Sequence, residues 1–379
     1  MRTALVQLSD NTWSRHPVSQ SLPDTDVQLF LCFAADYILR SETIYDQVRA
    51  RFPHAQIALC STSGEIYHDT VQDDSLVGLA VAFRETTIQT ASVNVRQYAS
   101  SYEAAQALVR QLPTEGLTYL LILSDGSLVN GSELAQGLNV ATDNLLITGG
   151  LAGDAANFKS TLLGLNTQPA EGNIIAIGFY GDKLIVRHGS EGGWDTFGLE
   201  KEVTHSESNI LHEIDHQNAL DLYMKYLGSD ADDLPASALL FPLSVLMPGV
   251  EQPIVRTILS VDTERKTMTF AGDVPVGSKV RFMKANFDRL TSAASTAARQ
   301  LVDPLHHHPH FSLLISCVGR KLVLGPHIDE EVEAVSQTLG SNVPLIGFYA
   351  NGELSPFPNG GDCQLHNQTM TITSFYELP

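Results

Sequence analysis

The chain has 379 residues, enough for two or three domains and a substantial buried core. Hydrophobic residues at 43% and charged residues at 17% describe an ordinary globular protein and exclude a disordered one. A formal net charge of −20 argues against nucleic acid and anionic membrane surfaces as partners, and no apolar run is long enough to cross a bilayer.

The N-terminal residues lack the apolar stretch and cleavage site of a signal peptide. The four cysteines, Cys32, Cys60, Cys317 and Cys363, are scattered, and the first three sit in apolar strand patterns. They read as buried free thiols, and the expected compartment is the cytoplasm.

In chain order, an apolar strand over Val27 to Phe33 leads to a helix over Ser41 to Phe52, ended by Pro53. A strand from Ile57 follows, then Leu76 to Phe83 and Ile88 to Val95 as an expected hairpin. A second unit repeats this, with a helix over Ser101 to Leu112 and strand Leu117 to Leu123. A helix from Ser132, a strand from Leu145 and an expected hairpin, Asn173 to Tyr180 and Lys183 to His188 around Gly181-Asp182, complete it. The spacing of Ala219, Leu220, Tyr223, Tyr226 and Leu227 predicts an amphipathic helix stopped by Gly228. The third unit opens with hairpin material over Leu239 to Leu246, Ile254 to Val261 and Lys266 to Phe270. The longest helix, Phe282 to Leu301, ends at Pro304, and a loop carries His306-His-His-Pro-His310. Strand Phe311 to Ser316, helix Glu330 to Leu339, a strand from Pro344 and a last strand, Thr369 to Phe375, follow.

One pattern recurs three times: an apolar strand running into a turn that ends in Gly plus a carboxylate. The copies are Ile57-Ala-Leu-Cys-Ser-Thr-Ser-Gly-Glu65, Leu145-Leu-Ile-Thr-Gly-Gly-Leu-Ala-Gly-Asp154 and Pro344-Leu-Ile-Gly-Phe-Tyr-Ala-Asn-Gly-Glu353. Repetition at this scale says that one unit is reused. Strand–helix–strand steps imply parallel pairing inside each unit, and hairpins imply mixed sheets. The expected fold class is α/β, with repeated strand–helix–strand units, mixed sheets flanked by helices, and two domains.

The stretches Cys60-Ser-Thr-Ser-Gly-Glu-Ile66, Gly149-Gly-Leu-Ala-Gly-Asp154, Ser316-Cys-Val-Gly-Arg320, Gly347-Phe-Tyr-Ala-Asn-Gly-Glu353 and Leu365-His-Asn-Gln-Thr-Met-Thr371 resemble the FIST sensory domain. The resemblance covers nearly the whole chain, the N-terminal domain at 25–215 and the C-terminal domain at 216–360, with a final strand to 379. It implies a bacterial signal-input module that binds small ligands such as amino acids and is often fused to kinase, cyclase or chemoreceptor output domains. No such output region is present, so a separate signalling protein, such as a kinase or cyclase, is the implied partner. One branch of the family resembles haem-binding nitric oxide sensors. No cofactor is expected on the first reading, and haem is the alternative.

Turns at strand ends are where α/β proteins place ligands, and Gly lets backbone approach them closely. Glu65, Asp154 and Glu353 then offer carboxylates to an ammonium group, and Ser61, Thr62, Gly64, Tyr349 and Asn351 offer hydrogen bonds or space. The other reading is that Gly supplies the turn and the carboxylate satisfies loose backbone N–H groups. Asp125 and Arg320 close equivalent strands. Arg320 suits a ligand carboxylate, or an ion pair with a neighbouring acid. A pocket is expected where the first and last turns meet, lined by Thr62, Glu65, Tyr349 and Glu353.

His212-Glu-Ile-Asp-His216 matches the zinc-hydrolase pattern H-E-x-x-H, which needs both histidines on one helical face. Turn-forming residues around Asp215 argue against a shared face, so the match is read as accidental and a zinc-dependent hydrolase is the remote alternative. His306 to His310 reads as a solvated loop. An axial haem ligand would come from His68, His188, His205 or His366, and the sequence does not choose among them. Gly192-Gly193-Trp194 reads as an aromatic-bearing loop whose indole either lines a pocket or, the commoner fate, packs against the sheet. There is no G-x-S-x-G and no P-loop. The expectation is a non-enzymatic, cytoplasmic small-ligand sensor.

Overall fold

In the strand Leu29–Ala34, Leu29, Leu31 and Phe33 face one apolar cluster while Phe30, Cys32 and Ala34 face another, and all six are buried. A strand buried on both faces needs a layer on each side. Here one side is the centre of the molecule and the other is a helix. The computed structural model describes residues 1–378 apart from residues 11, 156, 235, 303–307, 358 and 359. His306 and His307 of the histidine run, and Pro304, therefore lie outside the described residues.

Three units share one layout. Two inner strands pair in parallel across a helical crossover: Leu29–Ala34 with Gln56–Ser61, Leu117–Ser124 with Leu146–Leu151, and Phe311–Cys317 with Leu345–Ala350. The crossovers carry the helices Ile44–Arg51, Gly131–Thr142 and the pair Val318–Leu324 and Asp329–Leu339. A closing strand, Leu76–Ala82, Asn173–Tyr180 or Met370–Glu377, lies antiparallel to the first inner strand. An opening strand, Arg2–Ser9, Thr87–Asn94 or Leu184–Glu191, flanks the closing strand. The inner faces of all three sheets meet in one core that includes Leu31, Tyr119, Leu121, Phe311 and Phe348. Helices seal each outer face, as Val48, Leu138 and Val335 do. This is the mixed α/β fold expected from the repeat.

After each Gly-bearing turn the chain crosses into a neighbouring unit. Glu65–Tyr67 pairs with the third unit's inner strand, Gly352–Phe357 with the second's, and Leu163–Leu165 with the first's. The exchange is cyclic. It is closed by three backbone bonds: Ser63 N–H donates to Tyr349 O at 2.9 Å, Asn351 N–H to Leu151 O at 3.0 Å, and Gly153 N–H to Ser61 O at 3.0 Å.

Two expected hairpins are corrected. Leu76–Ala82 belongs to the first sheet, whereas Thr87–Asn94 pairs with Asn173–Tyr180 in the second. Asn173–Tyr180 and Leu184–Glu191 likewise belong to different sheets. Turn chemistry reverses the chain but does not choose the edge it joins, and here each turn moves it to the next sheet. The long helix starts at Phe287, not Phe282, because Lys279–Lys284 is a strand and Asn286 caps the helix by accepting from Arg289 N–H at 3.3 Å.

Residues from Asp195 to Lys284 form an inserted, eight-stranded sheet between the third unit's opening strand and its helix. The helix Ala219–Leu227 packs on it through Leu220 and Tyr223, and Gly228 ends it with φ 61°. His212 lies on the strand Ile210–Ile214 and His216 in the turn after it, so they share no helical face. All four cysteines are free and buried. Among the described residues, no helix is long and apolar enough to cross a membrane.

The inner strands approach unusually closely at Gly347 and its counterpart Gly149. A Cβ at Gly347 would overlap the carbonyl oxygen of Leu314, and one at Gly149 that of Ile122. Gly347→Ala should therefore cost about 1–3 kcal/mol as backbone overpacking. Urea unfolding checks this, and an unchanged midpoint would refute it.

Candidate functional site

The first and third turns hold their carboxylates by the same device. Glu65 is buried, and its Oε2 accepts from Ser75 N–H at 3.1 Å and Ser75 Oγ at 2.7 Å. Glu353 is buried, and its Oε2 accepts from Thr369 N–H at 3.1 Å and Thr369 Oγ1 at 2.6 Å. Ser75 and Thr369 each stand immediately before a closing strand. The other carboxyl oxygen separates the two sites. In the first unit the Thr62 hydroxyl donates to Glu65 Oε1. In the third unit Ala350 occupies the position of Thr62, and Glu353 Oε1 has no hydrogen-bond partner. The Cys317 thiol, a weak donor, lies against this carboxyl. Burial pushes Glu65 up to about 7 against the hydrogen bonds from Thr62 and Ser75. Burial pushes Glu353 further, to about 8, against those from Thr369.

The second unit uses its acids differently. Asp154 accepts from the backbone N–H groups of Phe158, Lys159 and Ser160 at 2.7–3.0 Å. Asp125 accepts from Ser127 N–H and Oγ, Leu128 N–H and Gly172 N–H at 2.7–2.9 Å. Asp154 holds its own loop, whereas Asp125 also ties its loop to Gly172, immediately before the closing strand Asn173–Tyr180. Ser61 Oγ donates to Gly153 O at 2.8 Å and accepts from Leu162 N–H at 2.9 Å. Gly64 adopts φ 135°, which favours glycine, and a Cβ there would strike the Lys321 ammonium.

Arg320 is fully buried and pairs with Glu331 through Nε at 3.0 Å and Nη2 at 2.7 Å. Its other donors reach the carbonyl oxygens of Leu290, Gly192 and Gln368. The Tyr349 and Ser316 hydroxyls donate to the remaining Glu331 oxygen at 2.8 and 3.1 Å. So the structure joins Thr62 to Glu65, Tyr349 and Arg320 to Glu331, and Glu353 to Thr369. Thr62, Gly64, Glu65 and Tyr349 lie together where Tyr349 N–H donates to Gly64 O at 2.8 Å, and Asn351 and Glu353 lie one crossing further along.

Unpartnered buried polar atoms gather around Glu353. They are Glu353 Oε1, Ser355 Oγ, Asn367 Oδ1, both amide ends of Gln368 and both side-chain ends of Asn351. Strand pairing sets Glu353 opposite His366 and Leu354 opposite Leu365, which brings the two segments together. A cavity of about 240 Å³ reaches their neighbours Thr369 and His366 and is lined also by Phe357, Trp194 and, from the inserted sheet, Gln252 and Val255; Glu353, Asn367 and Gln368 are not part of its lining. Trp194 Nε1 donates to Gln368 O at 3.0 Å, so the indole serves as wall and as anchor. A second cavity of about 260 Å³ touches Asn351, Asn130, Asn209 and Asp273. His366 gives Nε2 to the Ser355 carbonyl at 3.0 Å, His188 gives Nε2 to that of Pro356 at 2.9 Å, and burial holds both near 4, hence neutral.

Sequence reasoning did not single out Asn367, Gln368 and Thr369 as site residues. Their only signal was the stretch from Leu365 to Thr371, and residue type alone does not reveal a donor left without a partner.

Residues 28–217 match the model of the FIST N domain and residues 219–356 that of the FIST C domain. No curated protein matches the sequence. Among solved structures, the chain is similar to cyanuric acid hydrolase from A. caulinodans at 6% identity and a TM-score of 0.36, over 94% of this chain and 92% of that one. It is similar to a chorismatase at 9% identity and a TM-score of 0.36, over 99% and 98%. Likenesses at that score carry no argument about reaction.

Proposed function

The chain belongs to the FIST family of sensory domains, and we propose that it senses a small, amino-acid-like ligand at Glu353 and passes the signal to a separate protein such as a kinase or cyclase. The observation that supports this is internal to the molecule. Two equivalent carboxyls share one anchoring device, yet the first has a hydroxyl on its second oxygen and the third has none. A buried carboxyl oxygen met by nothing stronger than the Cys317 thiol is poorly satisfied, so the site favours a ligand that supplies a full donor. An ammonium group does so with a charge-assisted bond. The amides of Asn367 and Gln368 offer further donors and acceptors to the rest of a zwitterion. About 240 Å³ lies below the roughly 300–1,000 Å³ of drug-sized sites, which suits a molecule of amino-acid size. A carboxyl held near 8 is largely protonated at neutral pH, so a cation binding there would release a proton.

Native mass spectrometry of the purified chain, followed by thermal-shift measurements with the twenty common amino acids, tests the reading. A ligand that raises the melting temperature of the wild type but not of Glu353→Gln supports it. If no amino acid stabilises the wild type, or the stabilisation survives in Glu353→Gln, this site is not the sensor.

Haem is the other reading. His68 lies tilted against His16, His205 is stacked on His212, and His188 and His366 give Nε2 to carbonyl oxygens. As placed, with about 240 Å³ beside His366, these residues fit an axially ligated haem poorly. We expect haem-treated protein to show no sharp Soret band, and a visible absorption spectrum checks it.

A further inference from the structure

His212, the first histidine of the H-E-x-x-H match, has its real neighbour across the strand pair rather than along the chain. Its ring stacks on that of His205 with centroids 4.4 Å apart and planes 22° apart. His205 and Glu207 stand two residues apart on the strand Asp195–Glu207, and His212 on the adjoining strand Ile210–Ile214. One donor atom from each of the three lies within 4.8 Å of the others. His212 Nε2 is buried and has no hydrogen-bond partner. The neighbour of His212 in space is therefore His205, not the His216 that the hydrolase pattern would pair with it.

We propose that His205, Glu207 and His212 form a binding site for a divalent transition metal ion of the Zn²⁺ class. Two imidazoles and a carboxylate are a borderline-soft donor set suited to zinc, with a fourth position left to water. Tetrahedral zinc with bonds of about 2.0–2.1 Å sets its donors roughly 3.3–3.5 Å apart. Donors within 4.8 Å on two paired strands reach that spacing by side-chain rotation, without moving the sheet. A bridge beside the turn of this hairpin would stiffen Ser208 and Asn209, and Asn209 lines the 260 Å³ cavity. A second cluster, His16, His68 and Asp69, is chemically poorer. There His16 Nδ1 accepts from Val18 N–H at 3.2 Å, which puts the proton of the neutral ring on the nitrogen a metal would need.

Calorimetric titration of the whole chain with Zn²⁺ alone at pH 7.5 tests the site. The wild type and His216→Ala should each bind one equivalent that is missing from the His205→Ala/His212→Ala double variant. His205→Ala and His212→Ala singly should weaken that equivalent at least tenfold. His205 is exposed and His212 half-buried, so the variants should fold, and circular dichroism verifies that. The proposal is overturned if wild type and double variant bind the same number of ions, if His216→Ala also removes the equivalent, or if the wild type binds none.

Discussion

Glu331→Gln should destabilise the protein by about 3–5 kcal/mol, because it strands the buried Arg320 guanidinium without its counter-charge. Both side chains are fully buried, and Glu331 accepts from Arg320, Tyr349 and Ser316 together. Breaking one half of such a pair removes little attraction that water could replace and leaves a charge in the interior. Arg320 also ties three elements of the third unit through its bonds to Leu290, Gly192 and Gln368. Two of those, Gly192 and Gln368, belong to the loops around the 240 Å³ cavity, so loss of the pair should loosen that wall as well. Urea denaturation of Glu331→Gln, of Arg320→Met and of the double variant checks this. The double variant should be more stable than the sum of the single losses implies. A loss below about 1 kcal/mol for both single variants would rule the interpretation out.

The repeat was legible because each unit reuses the same order of apolar strand, helix and Gly-carboxylate turn, and local sequence fixes those elements. Ala219–Leu227 and its Gly228 stop follow directly from spacing and a C-terminal glycine. What local sequence does not encode is the partner of a strand once the chain has turned. Leu76–Ala82 and Thr87–Asn94 look like a hairpin because a turn lies between them, yet each is held by strands far away in the chain. The inserted sheet was hidden for a similar reason. Its strands read as hairpin material, and the family matches meet at residues 217 and 219, inside it.

The site was legible at the level of residue type. Gly followed by a carboxylate marks all three turns, but what distinguishes Glu353 from Glu65 is the single exchange of Thr62 for Ala350. That matters only once the turns are superposed. Arg320 and Tyr349 carry suitable groups for a ligand, and burial commits both to Glu331. Ser75 and Thr369, the anchors of the two carboxyls, stand before closing strands and could have been found by aligning those strands.

Glu353→Gln keeps the shape of the third turn and removes its titration, and two measurements should report the change. With its carboxyl raised by burial to about 8 in the folded state, against an ordinary value of 4.5, the native protein holds one more proton than the unfolded chain between those values. Stability contributed by the protonated carboxyl is therefore full below about 4.5 and declines as pH rises through 8. Glu65, raised to about 7, acts in the same direction and remains in the variant. At roughly 1.4 kcal/mol per unit, the wild type should lose on the order of 2–3 kcal/mol more than Glu353→Gln between pH 6 and pH 8. A charge-assisted bond is worth roughly 1.5–3 kcal/mol, so a cationic ligand should bind the variant about tenfold more weakly or worse. Ala350→Thr offers a complementary check. It places a hydroxyl where Thr62 stands in the first unit, so it should fill Oε1, compete with the ligand and flatten the same pH slope. Chemical denaturation at several pH values and calorimetry with the co-purified ligand read these effects. A retained slope and unchanged affinity in Glu353→Gln would return Glu353 to the role Asp154 plays in the second unit, a carboxyl that holds its own turn.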